Sequence, residues 1–240
     1  RRSLSRNDPY AVLVDRFISS TGVPLVFGSI ERVAGGPETG GQPAYYNVAV
    51  YYREGAIRGV YRKIHLVPFG EWFPYERLFP FVKRILEEAG AGDFTPGEDY
   101  TLFQGDGYLF NVLICYEDVF GSLARQFVRR GSSLMVNITN DAWTGSRKAE
   151  IQHYAKSVFR AVENRRSLVR AANGGVTGCI DPFGRSLGRL ELFTENYMVC
   201  EVPVYRGGTT LYTRTGDLVA YAAVLFSVIL LVRTLLPGLI

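Results

Sequence analysis

The sequence predicts an α/β fold, in which strands and helices pack in layers around one core, followed by a separate apolar helix. Short apolar runs typical of strands alternate along the chain with amphipathic helical patterns, and 240 residues are enough for one sizeable core. From Leu218 to Ile240 the sequence carries a single charge, that of Arg233, which sets this segment apart from the preceding domain. The sequence contains no internal repeat.

The first half of the chain is predicted to hold helices, a strand and a β-hairpin. Apolar residues recur at helical spacing from Asp8 to Ser20, and Gly22 is expected to end this helix. Two strand-like runs flank the pair Glu54-Gly55, which is typical of a tight turn. A loop rich in glycine and proline separates this hairpin from the first strand. The predicted strands and a further helix cover 24–30, 45–53, 56–66 and 81–89.

The second half alternates strands with two helices. One strand ends at Cys115, and one helix ends at Gly131. The longest helix, at 148–165, has an apolar stripe at helical spacing that begins at Ile151. The remaining strands are predicted near 133–139, 167–172, 176–181 and 198–204. These boundaries divide the chain into a domain at 1–205, a linker at 206–217 and an apolar helix at 218–236.

Composition and cysteine usage exclude several classes of protein. The net charge of +4 is modest and the basic residues are scattered, so we expect no nucleic-acid partner. The chain has two histidines and three cysteines without a CxxC pair, so we expect no metal, no cofactor and no disulfide framework. Cys179 and Cys200 lie in strand-like apolar runs and are expected to be buried, unreactive thiols.

Three segments place reactive side chains directly after predicted strands. LICYED ends a strand with Cys115, YRKIHLVPFGE leads from Lys63 across a bent loop to Glu71, and NITNDAWTG runs into a polar loop. Layered α/β proteins commonly present reactive groups at the carboxyl ends of strands. Taken singly, each segment also has a structural explanation, namely a buried thiol, a solvated lysine and an Asx turn.

In combination, KIHLVPFGE, ICYE and NDAW resemble the apolipoprotein N-acyltransferases of the nitrilase superfamily, whose sites use a glutamate, a lysine and a cysteine. The segment YTRTGD before the apolar tail and the pair Tyr46-Asn47 in the hairpin match that family as well. The resemblance extends over essentially the whole chain. It implies a nitrilase-like αββα sandwich followed by one C-terminal transmembrane helix.

The resemblance also implies a role for each matched residue. Cys115 would attack the ester of a phospholipid and hold the acyl chain as a thioester, while Lys63 would stabilise the oxyanion. Glu71 would orient Lys63 or the substrate. The acyl acceptor would be the N-terminal amino group of diacylglyceryl-cysteine in a lipoprotein. The residues expected to support this chemistry and to line the pocket are Glu117, Tyr116 and Asn47.

One residue that the resemblance requires has no counterpart in the sequence. The superfamily's base is a glutamate in a WPE-like motif at the end of the first strand, and this chain begins at about the helix that follows. Glu31, Glu38 and Glu54 lie after the second strand or in loops and do not match that motif. The membrane helices that precede the domain in this family have no counterpart either. We therefore expect a sandwich without its first strand and a fragment that is inactive alone.

The apolar tail and an aromatic loop indicate contact with a membrane. The tail is near the lower length limit for a spanning helix, with Asp217 able to cap its start and Arg233 able to reach an interface. A buried core helix is the alternative. The aromatic residues after Lys63 could pack in the core or form a lid at the bilayer surface. They are Trp72, Phe73, Tyr75, Phe79 and Phe81, and we expect Trp72, Phe73 and Trp143 to contact the substrate.

The resemblance places the domain on the periplasmic side of the bacterial inner membrane. The chain opens on a charged, helical stretch instead of a signal peptide, so export would depend on sequence upstream of residue 1. Two other functions compete with acyl transfer. A nitrilase-type amidase would not need the apolar tail, and a membrane-tethered pseudoenzyme or lipoprotein-binding module would not need the base. The upstream sequence would distinguish them.

Overall fold

A computed structural model describes residues 9–35, 41–74, 81 and 92–235. Two β-sheets with helices packed against them confirm the α/β class that the sequence predicts. Helix α1 (Pro9–Thr21) begins the described chain and ends at Gly22, whose φ of +66° is a conformation that favours glycine. The helix expected at 81–89 lies outside the described residues apart from Phe81.

The first sheet has three antiparallel strands within the described residues. Glu54 and Gly55, with φ of +52° and +70°, join the second and third strands. Positive φ at both central positions is what a type I′ turn requires, and its twist matches that of the flanking strands. The predicted hairpin is thereby confirmed. The strands, in spatial order, are β1 (Leu25–Val33), β2 (Ala44–Arg53) and β3 (Ala56–Arg62).

The second sheet, as far as the chain is described, has six strands in sequence order. Its central strands β5, β6 and β7 are parallel, and the outer strands pair antiparallel. Ile114 at the end of β5 pairs with Ile138 on β6, so both strands deliver their following residues to the same edge of the sheet. The strands are β4 (Phe103–Gln104), β5 (Leu109–Ile114), β6 (Leu134–Asn140), β7 (Ser167–Asn173), β8 (Gly178–Ile180) and β9 (Ser186–Arg189).

Aromatic side chains join the two sheets and the helices into one core. Helices α2 (Gly121–Arg129) and α3 (Arg147–Asn164) connect the parallel strands, as the sequence predicts. The ring of Tyr51 on β2 meets Phe110 on β5 edge to face, with centroids 5.1 Å apart. Tyr61 on β3 meets Phe127 on α2 in the same way at 5.5 Å. Edge-to-face pairs of this kind add to the gain from burying apolar area, and here they hold the first sheet against the second.

The expectation for the two distal cysteines was wrong. Cys179 on β8 forms a disulfide with Cys200, whereas the sequence predicted two separate thiols. The strand predicted at 198–204 is also absent from the structure, where β9 pairs with β8 in its place. Cys200 instead lies in a segment outside the sheet that has no regular secondary structure. The apolar sequence around each cysteine predicted two unreactive thiols, because a local pattern carries no information about which residues meet across a separation of 21 positions.

The segment 206–217 contains a short helix that is docked on the domain. Helix α4 (Leu211–Thr215) buries Thr213, whose hydroxyl donates to Asn164 Oδ1 at 3.0 Å. The Arg125 guanidinium donates to the backbone carbonyls of residues 212, 213 and 214. Helix α5 (Leu218–Leu235) then leaves the domain with no residue buried, and its length and composition would allow it to cross a membrane.

Replacing both Cys179 and Cys200 with alanine should lower the free energy of unfolding by about 3 kcal/mol, because the crosslink closes a loop that the unfolded chain would otherwise explore freely. Urea unfolding in detergent micelles measures this. A reducing agent should destabilise the wild type and leave the double variant unchanged. Equal sensitivity of the two proteins to reductant would contradict the crosslink.

Candidate active site

Cys115 occupies the point at which β5 ends and a 3₁₀ turn (Cys115–Val119) begins. Its φ of +53° lies in the left-handed region, which is uncommon for residues with side chains and is concentrated at functional sites. The side-chain amide of Asn137 on β6 donates to the carbonyls of Leu113 at 3.1 Å and Cys115 at 3.0 Å. These bonds fix the turn, so the half-buried, free thiol is held in one orientation.

Lys63, Glu71 and Asn47 come together as one hydrogen-bonded group. The backbone N–H of Lys63 donates to the carbonyl of Asn47 at 2.8 Å, so the hairpin register sets the two residues side by side. Lys63, only 1% exposed, places Nζ 2.6 Å from Glu71 Oε2. Glu71 also accepts from Asn47 Nδ2 at 2.9 Å and from the backbone N–H of Val67 at 2.8 Å. Burial of this charge is possible because the ammonium is paired.

A cavity of about 950 Å³ opens beside Cys115. Its wall includes Asn47 and Glu71 on one side and residues from the end of β6 and from α3 on the other. Aromatic and apolar side chains form much of the rest, which suits a ligand with a long apolar part. The residues that line it near the thiol include Cys115, Tyr116, Thr139, Asp141, Glu150 and Lys156.

The surroundings of Cys115 favour the neutral thiol in the resting protein. Burial raises the pKa of Cys115 above its ordinary value, while the Lys63 charge and the Thr139 hydroxyl act to lower it. The negative charge of Asp141 raises it further. Since the thiolate is the nucleophilic form, a reaction at Cys115 depends on these neighbours and on a group that takes the proton.

Glu117 ties the Lys63 loop to the Cys115 turn. Its Oε1 accepts from the hydroxyl of Tyr61 at 2.8 Å and from the backbone N–H groups of Ile64 at 2.8 Å and His65 at 3.0 Å. Its Oε2 accepts from the N–H of Ile114 at 2.8 Å. Burial raises the pKa of Glu117 to about 7, although these donors oppose the rise. Glu117 therefore fixes the two loops relative to each other and does not line the cavity.

Next to the cavity, a cluster of buried charged side chains is formed by Arg170, Asp118, Asp141 and His153. The sequence did not predict this cluster. Arg170 on β7 pairs with Asp118 Oδ2 at 2.5 Å and with Asp141 Oδ2 at 2.6 Å. His153 on α3 lies between the same two carboxylates, with Nε2 2.7 Å from Asp118 and Nδ1 3.1 Å from Asp141. Burial acts to lower the pKa of His153, but its hydrogen bonds to Asp118 and Asp141 raise it overall. The pKa of Asp141 is lowered despite burial by its bonds to His153 and Thr139 and by the Arg170 charge.

One signal in the sequence points to this cluster in retrospect, because Arg170 interrupts the apolar strand pattern of SLVRAAN. His153 gave no such signal, since it lies on the buried face of α3 and nearly opposite the apolar stripe that begins at Ile151, which is exposed. A charge at a core position is informative because it must be paired. Asp118 had a simpler explanation as a negative charge at a helix N-terminus.

The predicted aromatic residues lie in different surroundings. Tyr116 lines the cavity and its hydroxyl accepts from Lys156 Nζ at 3.0 Å, and Trp143 lines it while remaining 75% exposed. Trp72 is partly exposed and Phe73 is buried, and neither lines the cavity. Phe81 is exposed. Tyr75 and Phe79 lie outside the described residues. The substrate contacts proposed for Trp72 and Phe73 remain a prediction.

The fold and this site define a class of protein. Residues 8–210 match the carbon-nitrogen hydrolase family, and the chain belongs to that family. Among solved structures, it is similar to an amidase from Nesterenkonia sp., with a TM-score of 0.54 and 22% identity over 76% of this chain and 63% of that one. This likeness supports the fold.

The curated relatives are more specific and confirm the resemblance seen in the three motifs. The chain is 38% identical over 211 residues to apolipoprotein N-acyltransferase 1 of Treponema pallidum, covering 84% of this chain and 38% of that protein. It is 46% identical over 170 residues to the apolipoprotein N-acyltransferase of Geobacter metallireducens, covering 71% of this chain and 32% of that protein. The matched region is thus well under half the length of these relatives.

Substitution of Glu117 by glutamine should flatten the dependence of stability on pH. Because the pKa of Glu117 is raised from 4.5 to about 7, the folded protein keeps a proton that the unfolded chain loses between these values. The stability from this proton is complete below the lower value and is lost as the pH rises through the upper one, by up to about 3 kcal/mol. Urea unfolding at several pH values gives the slope.

Asp106→Asn serves as the matched control, because the Asp106 side chain is 78% exposed in a surface ion pair with Arg53. It should leave the slope of the wild type unchanged. If Glu117→Gln also kept that slope, the proposed protonation of Glu117 in the folded state would be wrong, whatever the absolute stability of the variant.

Proposed function

We propose that this domain transfers an acyl chain from a membrane phospholipid, through a thioester on Cys115, to the N-terminal amino group of diacylglyceryl-cysteine in bacterial apolipoproteins. The observation that carries the proposal is that the free Cys115 and Glu71 line one cavity, while Lys63, buried behind Glu71 and paired with it, acts on the Cys115 thiol through its charge. The two relatives described above are named for this activity, and the chain spans roughly a third to two fifths of their length.

The chemistry divides into two steps at one sulfur atom. The Cys115 thiolate attacks the carbonyl carbon of the phospholipid ester, the bond from that carbon to the glycerol oxygen breaks, and the lysophospholipid leaves with a proton. The lipoprotein amine then attacks the thioester carbon, the carbon–sulfur bond breaks, and sulfur regains its proton. Each step forms an oxyanion, which the nearby Lys63 charge stabilises by roughly 3–4 kcal/mol. Two half-reactions through one covalent intermediate give ping-pong kinetics.

Glu71 is proposed to orient Lys63. It accepts from Asn47 and from the Val67 backbone while it pairs with the ammonium. Three donors converging on one carboxylate leave it little freedom to move. The ammonium is therefore held in place before the oxyanion forms, and such preorganisation is what makes a charge effective in a transition state.

The proposed location is the bacterial inner membrane, with the domain on its periplasmic side. Helix α5 is apolar and uncovered along its length, and Arg233 lies near its far end, where its side chain can reach an interface. The Cys179–Cys200 disulfide supports an oxidising compartment, because such bonds persist outside the cytoplasm and are rare inside it. An enzyme that joins lipid to protein needs both substrates at this boundary.

We further propose that sequence upstream of residue 1 completes the sandwich and supplies the base. Within the described residues the first sheet has three strands and the second has six. Leu13 and Phe17 on α1 are more than half exposed, as is Ile30 on β1. In the proposed longer protein, these side chains would pack against the upstream polypeptide. The missing base glutamate and the preceding membrane helices would come from the same upstream sequence.

Cys115 should form a thioester with the acyl chain of labelled phospholipid in the longer enzyme that this proposal requires. Neutral hydroxylamine should release the label, because it cleaves thioesters. Cys115→Ala should remove the label completely, while the Cys179→Ala/Cys200→Ala double variant should keep it. Mass spectrometry identifies the modified residue. Label that remains in Cys115→Ala, or that maps to Cys179, would refute the assignment.

Lys63→Ala should slow this labelling roughly 10²–10³-fold while leaving the fold intact, because the lost charge serves the transition state. Lys63→Arg should be slow as well, since a planar guanidinium cannot take the place of a compact ammonium against Glu71. Circular dichroism checks the fold of both variants. Substantial labelling in Lys63→Arg would mean that the charge alone is sufficient and that the geometry of the pair is unimportant.

The chain of residues 1–240 expressed alone should bind membranes and show no acyl transfer. Burial of the α5 side chains, at roughly 1.5–3 kcal/mol each, greatly exceeds the cost of holding Arg233 near an interface. Activity should be absent because general-base catalysis contributes about 10²–10⁴-fold and the proposed base lies upstream. Phosphatidylethanolamine, a diacylated lipopeptide and mass spectrometry of the product provide the assay.

Each result of this assay discriminates between functions. Triacylated product at the rate of a full-length relative would show that the base lies within residues 1–240. If the upstream-extended protein also lacked activity while still binding the lipopeptide, a lipoprotein-binding module would be favoured. Hydrolysis of small soluble amides by the extended protein, without acyl transfer, would favour an amidase instead.

A further inference from the structure

Thr139 lies beside Cys115 at the edge of the second sheet. Because Ile114 and Ile138 pair in the parallel register of β5 and β6, the residues that follow them are neighbours across the two strand ends. Both residues line the same cavity. The Thr139 hydroxyl is close enough to the Cys115 thiol to act on it, and it acts to lower the pKa of Cys115. The sequence motifs had drawn attention to Asn140 and Asp141 in this segment and not to Thr139.

The hydroxyl of Thr139 has one proton and two candidate acceptors. The hydroxyl donates its proton in a hydrogen bond to Asp141 Oδ1 at 2.6 Å. While Cys115 is a thiol, the hydroxyl oxygen can therefore only accept a hydrogen bond from the sulfur. Loss of the thiol proton reverses this relation, since a thiolate accepts and cannot donate. A rotation about the Thr139 side chain would then direct the hydroxyl proton to sulfur.

Asp141 can lose the hydrogen bond from the Thr139 hydroxyl and still keep its position. Its Oδ2 remains paired with Arg170 at 2.6 Å, and its Oδ1 remains 3.1 Å from His153. The guanidinium already balances the Asp141 charge, so the carboxylate competes weakly with a new thiolate for the hydroxyl. The buried cluster is thus what allows a neighbouring hydroxyl to change partners.

We propose that Thr139 is a catalytic residue whose hydroxyl moves its hydrogen bond from Asp141 to the Cys115 sulfur as the thiolate forms. The hydroxyl keeps its own proton throughout, and the thiol proton goes to the base. Asp141 and its partners hold Thr139 in place and act through it. The inference rests on the proposed function only in taking Cys115 as the nucleophile, because the switch concerns the thiolate and not the acyl substrate.

Other charges around Cys115 also influence its ionisation, and the test must separate them from Thr139. They come from three sides of the site, namely the end of β3 with its loop, the end of β6, and helix α3. The groups are Lys63, Glu71, Asp141, Glu150, His153 and Lys156. Substitutions of Thr139 leave all of these charged groups unchanged. A change in Cys115 reactivity can then be assigned to the Thr139 hydroxyl.

The rate of Cys115 alkylation by iodoacetamide, measured across pH, tests the proposal in the 240-residue chain in detergent micelles. The disulfide leaves Cys115 as the free thiol of this chain, so the reaction reports on it directly. Thr139→Val should react about tenfold more slowly at a fixed pH below the thiol pKa, equivalent to a midpoint about one pH unit higher. Thr139→Ser keeps the hydroxyl and should react like the wild type.

Asp141→Asn should shift the midpoint in the opposite direction, because it removes a negative charge that opposes the thiolate. Thermal unfolding and circular dichroism identify any variant that fails to fold, and the Thr139 pair is decisive by itself if Asp141→Asn does not fold. Equal rates for Thr139→Val and the wild type would overturn the proposal. So would a serine variant as slow as the valine variant.

The acyl-transfer assay separates this inference from the proposed function. In the longer enzyme, Thr139→Val should move the acidic limb of the pH–rate profile upward, and Thr139→Ser should restore it. Absence of acyl transfer in the wild-type enzyme would refute the proposed function, while the order of alkylation rates would still decide the role of Thr139. Normal acyl transfer with unchanged alkylation in Thr139→Val would refute only the hydroxyl switch.

Discussion

The carboxylate of Glu117 is the interaction on which the geometry of the site depends. Its four donors come from Tyr61, from the backbone after Lys63 and from the last residue of β5. Lys63 and Cys115 belong to different sheets, so no local structure fixes the distance between them. A single buried group that accepts from both segments supplies that restraint. Buried hydrogen bonds suit the task because an unpaired buried donor costs about 1–3 kcal/mol, which resists any drift of either loop.

The Arg170 cluster performs a similar task on the other side of Cys115. It joins the 3₁₀ turn through Asp118, the loop after β6 through Asp141, and helix α3 through His153. Buried ion pairs contribute little net stability, yet removing one partner costs about 3–5 kcal/mol because the other charge is left unpaired. The cluster therefore acts mainly to enforce one arrangement of these three segments. Glu117 and Asp118, which follow Cys115 in one turn, therefore bind different partners: Glu117 binds the segment around Lys63, and Asp118 binds the Arg170 cluster.

This rigid framework surrounds a thiol that is not ionised at rest. Burial keeps the Cys115 pKa high, and the fixed charges nearby act in both directions. A neutral thiol reacts slowly with electrophiles, because the thiolate is the nucleophilic form. The apolar cavity and the uncovered helix α5 are consistent with a substrate that is delivered from a lipid phase. The aromatic residues Trp143 and Tyr116 line this cavity, and Trp143 is largely exposed.

The sequence by itself determined the alternation of strands and helices from β5 to β8, the hairpin at Glu54-Gly55, the apolar terminal helix and the motifs that contain Lys63, Glu71 and Cys115. All of these follow from periodicity, turn chemistry and short motifs, which depend on residues close together in the chain. Only the tertiary structure decided that Cys179 bonds to Cys200, that residues 198–204 form no strand, and that Thr139 stands beside Cys115. It also decided that Arg170 pairs with Asp118 across 52 positions. These features depend on strand register and on which buried charges meet, and neither is encoded in any local pattern because packing between distant segments selects them.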